Sequence, residues 1–239
     1  MTIKNAKNML AFTMIVTVAF VTAMQTADAA QCPLYNGAPK CYATHSFYPS
    51  PTALGEQATY KVFQNVVNNG AVSAPMWGWT TNTIPKLLEI GWQDLAGSTT
   101  VAQFYCAVDG TIQGSKWDNP THNTFYVFQI DDVNQDNTWI MAVGTKYCTH
   151  TPGGTSIKLN IVKTGYEITY DNNSISTNEH KDLRVHSSGA WRLWSSTYGT
   201  HPADTQFPSR PPMFVNHCDS GSWSRIQVGM LSSPPSGCI

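Results

Sequence analysis

The chain has 239 residues, of which 41% are hydrophobic, 11% aromatic and only 12% charged, with 14 basic against 15 acidic side chains. Soluble domains usually carry about 25% charged residues, so the polar surface here has to be built from Thr, Asn, Ser and Gln. The near-neutral balance supplies no basic field to gather phosphates, so no nucleic-acid partner is expected, and eight Trp, ten Tyr and nine Phe exclude a disordered chain.

Residues 1–29 read as an export signal. Lys4 and Lys7 form a cationic start, Met9 to Met24 is an uncharged, mostly apolar run, and Ala27-Asp28-Ala29 fits the small-x-small cleavage rule. A membrane anchor is the alternative, but the run is shorter than the roughly 20 residues a spanning helix needs, and no second apolar run follows. After signal removal no membrane association is expected, and the location is extracellular or periplasmic.

Six cysteines follow the signal: Cys32, Cys41, Cys106, Cys148, Cys218 and Cys238. An even count in an exported chain points to disulfides, with many pairings open. Joining neighbours in sequence gives Cys32–Cys41, Cys106–Cys148 and Cys218–Cys238, which would pin both termini. Zinc is the competing use of cysteine, but no C-x-x-C or H-x-x-x-H spacing occurs and His180 and His186 stand alone. No metal and no cofactor are expected.

Residues 30–55 are set apart as an N-terminal segment carrying Cys32 and Cys41, and 56–239 as one domain. Short stretches of period-two alternation, rich in Val, Ile, Thr and aromatics, predict strands over 58–64, 75–80, 87–95, 101–108, 125–130, 138–147, 156–170, 190–195 and 225–231. Turn formers stand between them, at Asn68-Asn69-Gly70, Asp109-Gly110, Pro152-Gly153-Gly154 and Asp171-Asn172-Asn173. A helical turn or two near 55–66 competes with a strand there. Many strands without intervening helices predict a single-domain, all-β antiparallel sandwich, disulfide-stabilised and monomeric. The Pro-rich piece 202–212 reads as a long loop.

The common signatures of serine hydrolases, metalloproteases and nucleotide enzymes are absent. Glutamate is scarce: Glu56, Glu89, Glu167 and Glu179. Glu89 sits within a half-buried strand, where it shares one face with Gly91 and Gln93 while Leu88, Ile90 and Trp92 take the other. A glycine beside it leaves room for a ligand to approach the backbone. A carboxyl on an aromatic-lined wall acquires a raised pKa and acts as a general acid or base. The ordinary alternative is a solvated outer face. Trp77 and Trp79 project from one side of a strand, and Trp191 and Trp194 stand close on another; exposed along a groove they would stack on sugars or prolines, whereas large aromatics otherwise fill the core.

The stretch LEIGWQ (Leu88–Gln93), followed by Gln103-Phe104-Tyr105 and Asp109-Gly110, resembles the region around the first glutamate of the neprosin family, secreted β-sandwich proteins whose members include proline-directed glutamic peptidases. NTWIMAVG around Trp139, AWRLWSSTYGTHPADTQFP from Ala190 to Pro208, and Phe214-Val215-Asn216 with Trp223 extend the resemblance over roughly residues 55–231. It implies a two-glutamate mechanism in which one carboxylate activates water and the other polarises the scissile carbonyl. Glu89 matches the first and is expected to be the general base. The second position falls at Ser195-Ser196, where no carboxylate stands, so either a partner comes from Glu179 or Asp204, both read as loop residues, or the chain keeps the fold without peptidase activity. Gln93, Trp77, Trp79, Trp194, Ser195 and Ser196 are the expected substrate contacts. The resulting expectation is a peptidase-like protein acting on extracellular peptide at acidic pH; the alternative is a non-enzymatic module binding glycans or peptides in an aromatic groove.

Overall fold

Period-two alternation lets one strand serve two faces at once, and the chain is built on it throughout. The computed structural model describes residues 32–238 apart from 33, 36–37, 64, 66, 82–84, 98–101, 115, 119, 133, 154–156, 170–172, 174, 207–212, 220–221 and 231–237. The expected export signal, and most of the Pro-rich piece 202–212, lie outside the described residues.

Strands β1 (Leu34–Tyr35), β2 (Ala38–Pro49), β3 (Gly55–Lys61), β4 (Ala71–Thr80), β5 (Leu87–Leu95) and β6 (Gln103–Val108) come first. They are followed by β7 (Thr111–Ile112), β8 (Trp117–Asp118), β9 (Phe125–Asp131), β10 (Trp139–Val143), β11 (Lys146–His150) and β12 (Leu159–Thr169). The chain closes with β13 (Asn178–Ser187), β14 (Ala190–Leu193), β15 (Gly199–Thr200), β16 (Thr205–Gln206), β17 (Met213–His217) and β18 (Ile226–Met230). They form two antiparallel sheets. The first runs β1-β2-β12-β4-β5-β6-β7, with β15 and β16 on β2 and β8 on β6; the second runs β11-β10-β9-β3-β13-β18-β17, with β14 on β13.

The sandwich expected from sequence is present, and no helix occurs among the described residues, so the helical option near 55–66 gives way to β3. Three segments differ from expectation. Residues 138–147 are not one strand but most of a hairpin, β10 and β11, turning at Gly144 with φ 57°. The segment 30–55 contributes β2, an interior strand of the first sheet rather than a separate lead-in. Residues 178–187, read as polar loop, form β13, flanked by β3 and β18. The last two were obscured for one reason. Their core-facing positions include polar residues, Asn178 and His180 on β13 and His45 on β2, which are buried because they find partners. His180 Nδ1 lies 2.7 Å from Thr164 Oγ1, and the Asn178 amide donates to the Lys61 carbonyl at 2.8 Å.

The core between the sheets is aromatic. Tyr60 stacks on Phe128 at 4.1 Å and on His180 at 4.2 Å, and its hydroxyl donates to the Ala74 carbonyl at 3.0 Å, joining the two layers. Trp92, Trp139 and Trp194 are fully buried. The three disulfides pair Cys32–Cys41, Cys106–Cys148 and Cys218–Cys238. Cys106 is on β6 and Cys148 on β11, so this bond ties the first sheet to the second across a sequence separation of 42. Closing a loop of that length removes about 4 kcal/mol of chain entropy from the unfolded state on the entropic account.

One buried carboxyl has no polar compensation. Glu56 on β3 is wholly buried, neither carboxyl oxygen has a hydrogen-bond partner, and burial raises its pKa well above the ordinary 4.5. Because its folded pKa exceeds the unfolded one, the native state holds this proton longer. Stability is therefore full below about pH 4.5 and declines as pH rises from there towards the folded pKa, by about 1.4 kcal/mol per unit of difference. Glu56→Gln keeps the shape and removes the ionisation. Urea unfolding is expected to give matching midpoints for parent and variant at pH 4 and a higher midpoint for the variant at pH 8; a lower midpoint at pH 8 would contradict this reading.

Candidate active site

On the first sheet the alternation that sends Cys41, Ala43, Phe47, Val72, Ala74, Met76, Leu88, Ile90 and Trp92 into the core turns their neighbours the other way. Those neighbours wall a cleft of about 740 Å³, within the range of small-molecule and peptide sites. Lys40, Tyr42 and Thr44 come from β2, Trp77 and Trp79 from β4, Leu87 and Glu89 from β5, and Lys163 and Glu167 from β12; Thr205 of β16 also lines it.

Registry sets the geometry. Glu89 is opposite Trp77 on one side and Ala107 on the other, and Trp77 is opposite Lys163. Glu167 is opposite Tyr42 and Ser73. The Tyr105 hydroxyl and the Trp77 indole N–H both donate to the Glu89 carboxyl. Burial pushes that carboxyl from 4.5 up to about 7; the charge of Glu167 adds to the rise, while the Tyr105 hydrogen bond, the Lys40 charge and the Trp77 hydrogen bond oppose it. Tyr105 is itself held neutral by burial, which keeps it a donor. Glu167 is ion-paired with Lys40 at 2.6 Å. Lys163 stands 5.1 Å from the centre of the Trp79 ring, a cation–π distance, and burial lowers its pKa. The strands of the wall thus carry two carboxyl groups of unlike surroundings, one among hydrogen-bond donors and rings, the other against an ammonium; a third, Asp109 in the turn after β6, lines the cleft paired with Lys86 at 2.6 Å.

Of the residues singled out by sequence, Glu89, Trp77 and Trp79 line this cleft, and Gln93, Trp194, Ser195 and Ser196 are not among its lining residues. Trp194 is buried in the core, stacked on Phe47 at 5.2 Å. Ser195 and Ser196 stand in the turn after β14. Glu179, a strand residue on β13 of the other sheet, pairs with Arg225 at 2.5 Å. Gly91 does not open the site to a ligand: a Cβ there would sit 2.5 Å from the Ala74 carbonyl oxygen, so glycine is required by the close approach of β5 to β4. Glu167 was not singled out, although it has a signal. In the predicted strand 156–170, residues 163, 165, 167 and 169 share the face opposite Val162, Tyr166 and Ile168, which puts a carboxylate and a lysine on one polar row.

Asp204 has other partners. Its Oδ1 lies 2.8 Å from His45 Nδ1 and 2.9 Å from His201 Nε2, and its Oδ2 lies 2.7 Å from His217 Nε2. Hydrogen bonds from His217 and His45 outweigh its burial and hold its pKa well below the usual carboxylate range. The expectation of no metal-binding residues rested on local spacing. These four come from positions 45, 201, 204 and 217, and only the fold collects them, with their donor atoms all within 4.8 Å of one another.

No protein-family model and no curated protein matches the chain. Solved structures do. Scytalido-glutamic peptidase bound to a peptide-based transition-state analogue is similar with a TM-score of 0.53 at 9% identity, over 81% of this chain and 100% of that chain. The same enzyme with a transition-state analogue inhibitor gives 0.53 at 11% over the same shares. SCP-B, an eqolisin-family peptidase in complex with the tripeptide Ala-Ile-His, gives 0.51 at 9%, again over 81% and 100%. At these identities the likeness is one of fold, that of the glutamic peptidases.

The Tyr105 bond stabilises the charged form of Glu89, so Tyr105→Phe is expected to raise that carboxyl's pKa above about 7. Titration of the Glu89 side-chain carbon by NMR checks this, and an unchanged or lowered pKa would refute it.

Proposed function

We propose that the chain is an exported peptidase of glutamic type, related to the neprosin proteins, that cleaves extracellular peptide at acidic pH in the cleft of the first sheet. The observation that carries this reading is the pairing on one wall of Glu89, whose pKa of about 7 keeps it protonated in acid, with Glu167, the carboxylate held by Lys40. Carboxyl groups whose surroundings differ in this way divide the acid and base roles between them. The fold shared with peptidases supports the reading, and the disulfides agree with an extracellular location.

The division of labour reverses the one expected for Glu89. Glu167 takes a proton from water as the water oxygen bonds to the peptide carbonyl carbon, and Glu89 gives its proton to the carbonyl oxygen. Collapse of the tetrahedral intermediate returns that proton to Glu89, breaks the C–N bond, and passes the Glu167 proton to the leaving amine. Atoms and charges balance, and both carboxyl groups end as they began. Trp77 and Trp79 supply the apolar wall, suited to rings and proline, and Lys163 and Thr44 supply polar contacts to the peptide backbone.

The test is cleavage of proline-containing peptides from pH 3 to 8 by the parent, Glu89→Gln and Glu167→Gln. Each variant is expected to lose about 10²–10⁴ in kcat/KM. Parental activity is expected to fall as pH rises through about 7, since the acid form of Glu89 is lost there. Equal cleavage by parent and variants would remove both carboxyl groups from the chemistry. No cleavage by any of the three, with saturable quenching of Trp fluorescence by peptides or glycans, would instead favour the binding module.

A further inference from the structure

Behind the cleft, on the far side of its β2 wall, lies the cluster around Asp204. Thr44 and Thr205 face the cleft as paired residues of β2 and β16; His45 and Asp204, the adjoining residues, turn the other way. His201 is three residues before Asp204, and His217 ends β17 in the second sheet. One interior strand, one loop and one strand of the opposite layer therefore converge on a point.

We propose that His45, His201, Asp204 and His217 form a binding site for a divalent transition-metal ion, zinc fitting best, that staples the two sheets behind the cleft. The proposal does not rest on the peptidase reading. Three imidazoles and a carboxylate are a complete tetrahedral ligand set for zinc. Donors bonded to zinc at about 2.0–2.1 Å stand roughly 3.3 Å apart, a spacing that falls between the 2.7–2.9 Å contacts to Asp204 and the 4.8 Å that bounds the whole set, so shifts of about an ångström or so bring the four donors onto an ion.

The second observation is at His45, whose side chain is wholly buried. Its Nε2 lies 3.1 Å from the Trp223 carbonyl oxygen, which can only accept, so Nε2 carries the proton. In a neutral ring Nδ1 then presents a lone pair, and it points at a carboxylate oxygen 2.8 Å away. Two acceptors facing each other at that distance repel unless a cation lies between them or the ring is a buried imidazolium. The backbone carbonyl on the far nitrogen is the arrangement that fixes the tautomer of a metal-binding histidine. Trp194, 5.3 Å from His45, and Trp223, 5.4 Å from His201, wall the cluster with rings, and His217, 32% exposed, marks the way in from solvent. With all four positions taken by protein the site is a closed one, which makes the ion structural rather than catalytic. Its binding energy then adds to folding.

The test uses the full chain, purified without chelators or metal-affinity resin. Metal analysis is expected to find close to one zinc per chain. Removal with a chelator is expected to lower the thermal midpoint, zinc to restore it, and cobalt to restore it with the visible absorption of a tetrahedral site. Asp204→Asn and His217→Ala are each expected to cut zinc content at least about tenfold. Because either variant can disturb folding by itself, the chelator and zinc cycle on the parent chain is read alongside. A parent that takes up no zinc from a micromolar solution and whose midpoint is indifferent to chelator and metal overturns the proposal. So does full zinc retention by both variants.

Discussion

The constraint on which the molecule depends is that successive residues of a strand face opposite ways. In the first sheet this gives every long strand two duties. β2, β4, β5 and β12 turn Ala43, Met76, Ile90 and Tyr166 into the inter-sheet core and, with an adjacent residue, Tyr42, Trp77, Glu89 and Glu167 into the cleft. A slip of one residue in any pairing would exchange the two sets, exposing the core rings and burying the charged wall. Fold and site are therefore fixed by the same hydrogen-bond registry. The cost of error on the core side keeps the carboxyl groups on their side.

The polar groups that the sandwich withdraws from water are treated in three ways. His180, Asn178 and Asn173 are matched to backbone or hydroxyl partners and act as structural pins. Glu89 is held by a phenol and an indole N–H, two donors that are themselves neutral, so it can keep or release a proton near neutrality. Glu56 has no partner at all, and its burial is tolerable only as the neutral acid. Raised pKa values at both Glu56 and Glu89 make the protonated protein the unstrained one.

The strands were legible where apolar and polar residues alternate cleanly. β5 was predicted with its observed limits, because Leu88, Ile90 and Trp92 alternate with Glu89, Gly91 and Gln93. β13 and β2 were not legible, because His180, Asn178 and His45 occupy inward positions where a sequence reader expects Leu or Val. Their partners come from 12 or more residues away, so nothing local announces that they are satisfied.

The amino-acid order alone determined the class of fold and Glu89 as the acid on an aromatic strand, since each depends on short-range spacing or composition; it left many cysteine pairings open, and the fold decided that sequence neighbours pair. Tertiary structure decided which carboxylate shares the wall with Glu89, and it decided that Asp204 belongs with three histidines instead. Glu167 reaches the cleft through the lateral order of β12, β4 and β5, and the histidines meet through the stacking of two sheets. Both depend on which strands lie side by side. That is set by the burial of the whole core at once, and no stretch of sequence contains it.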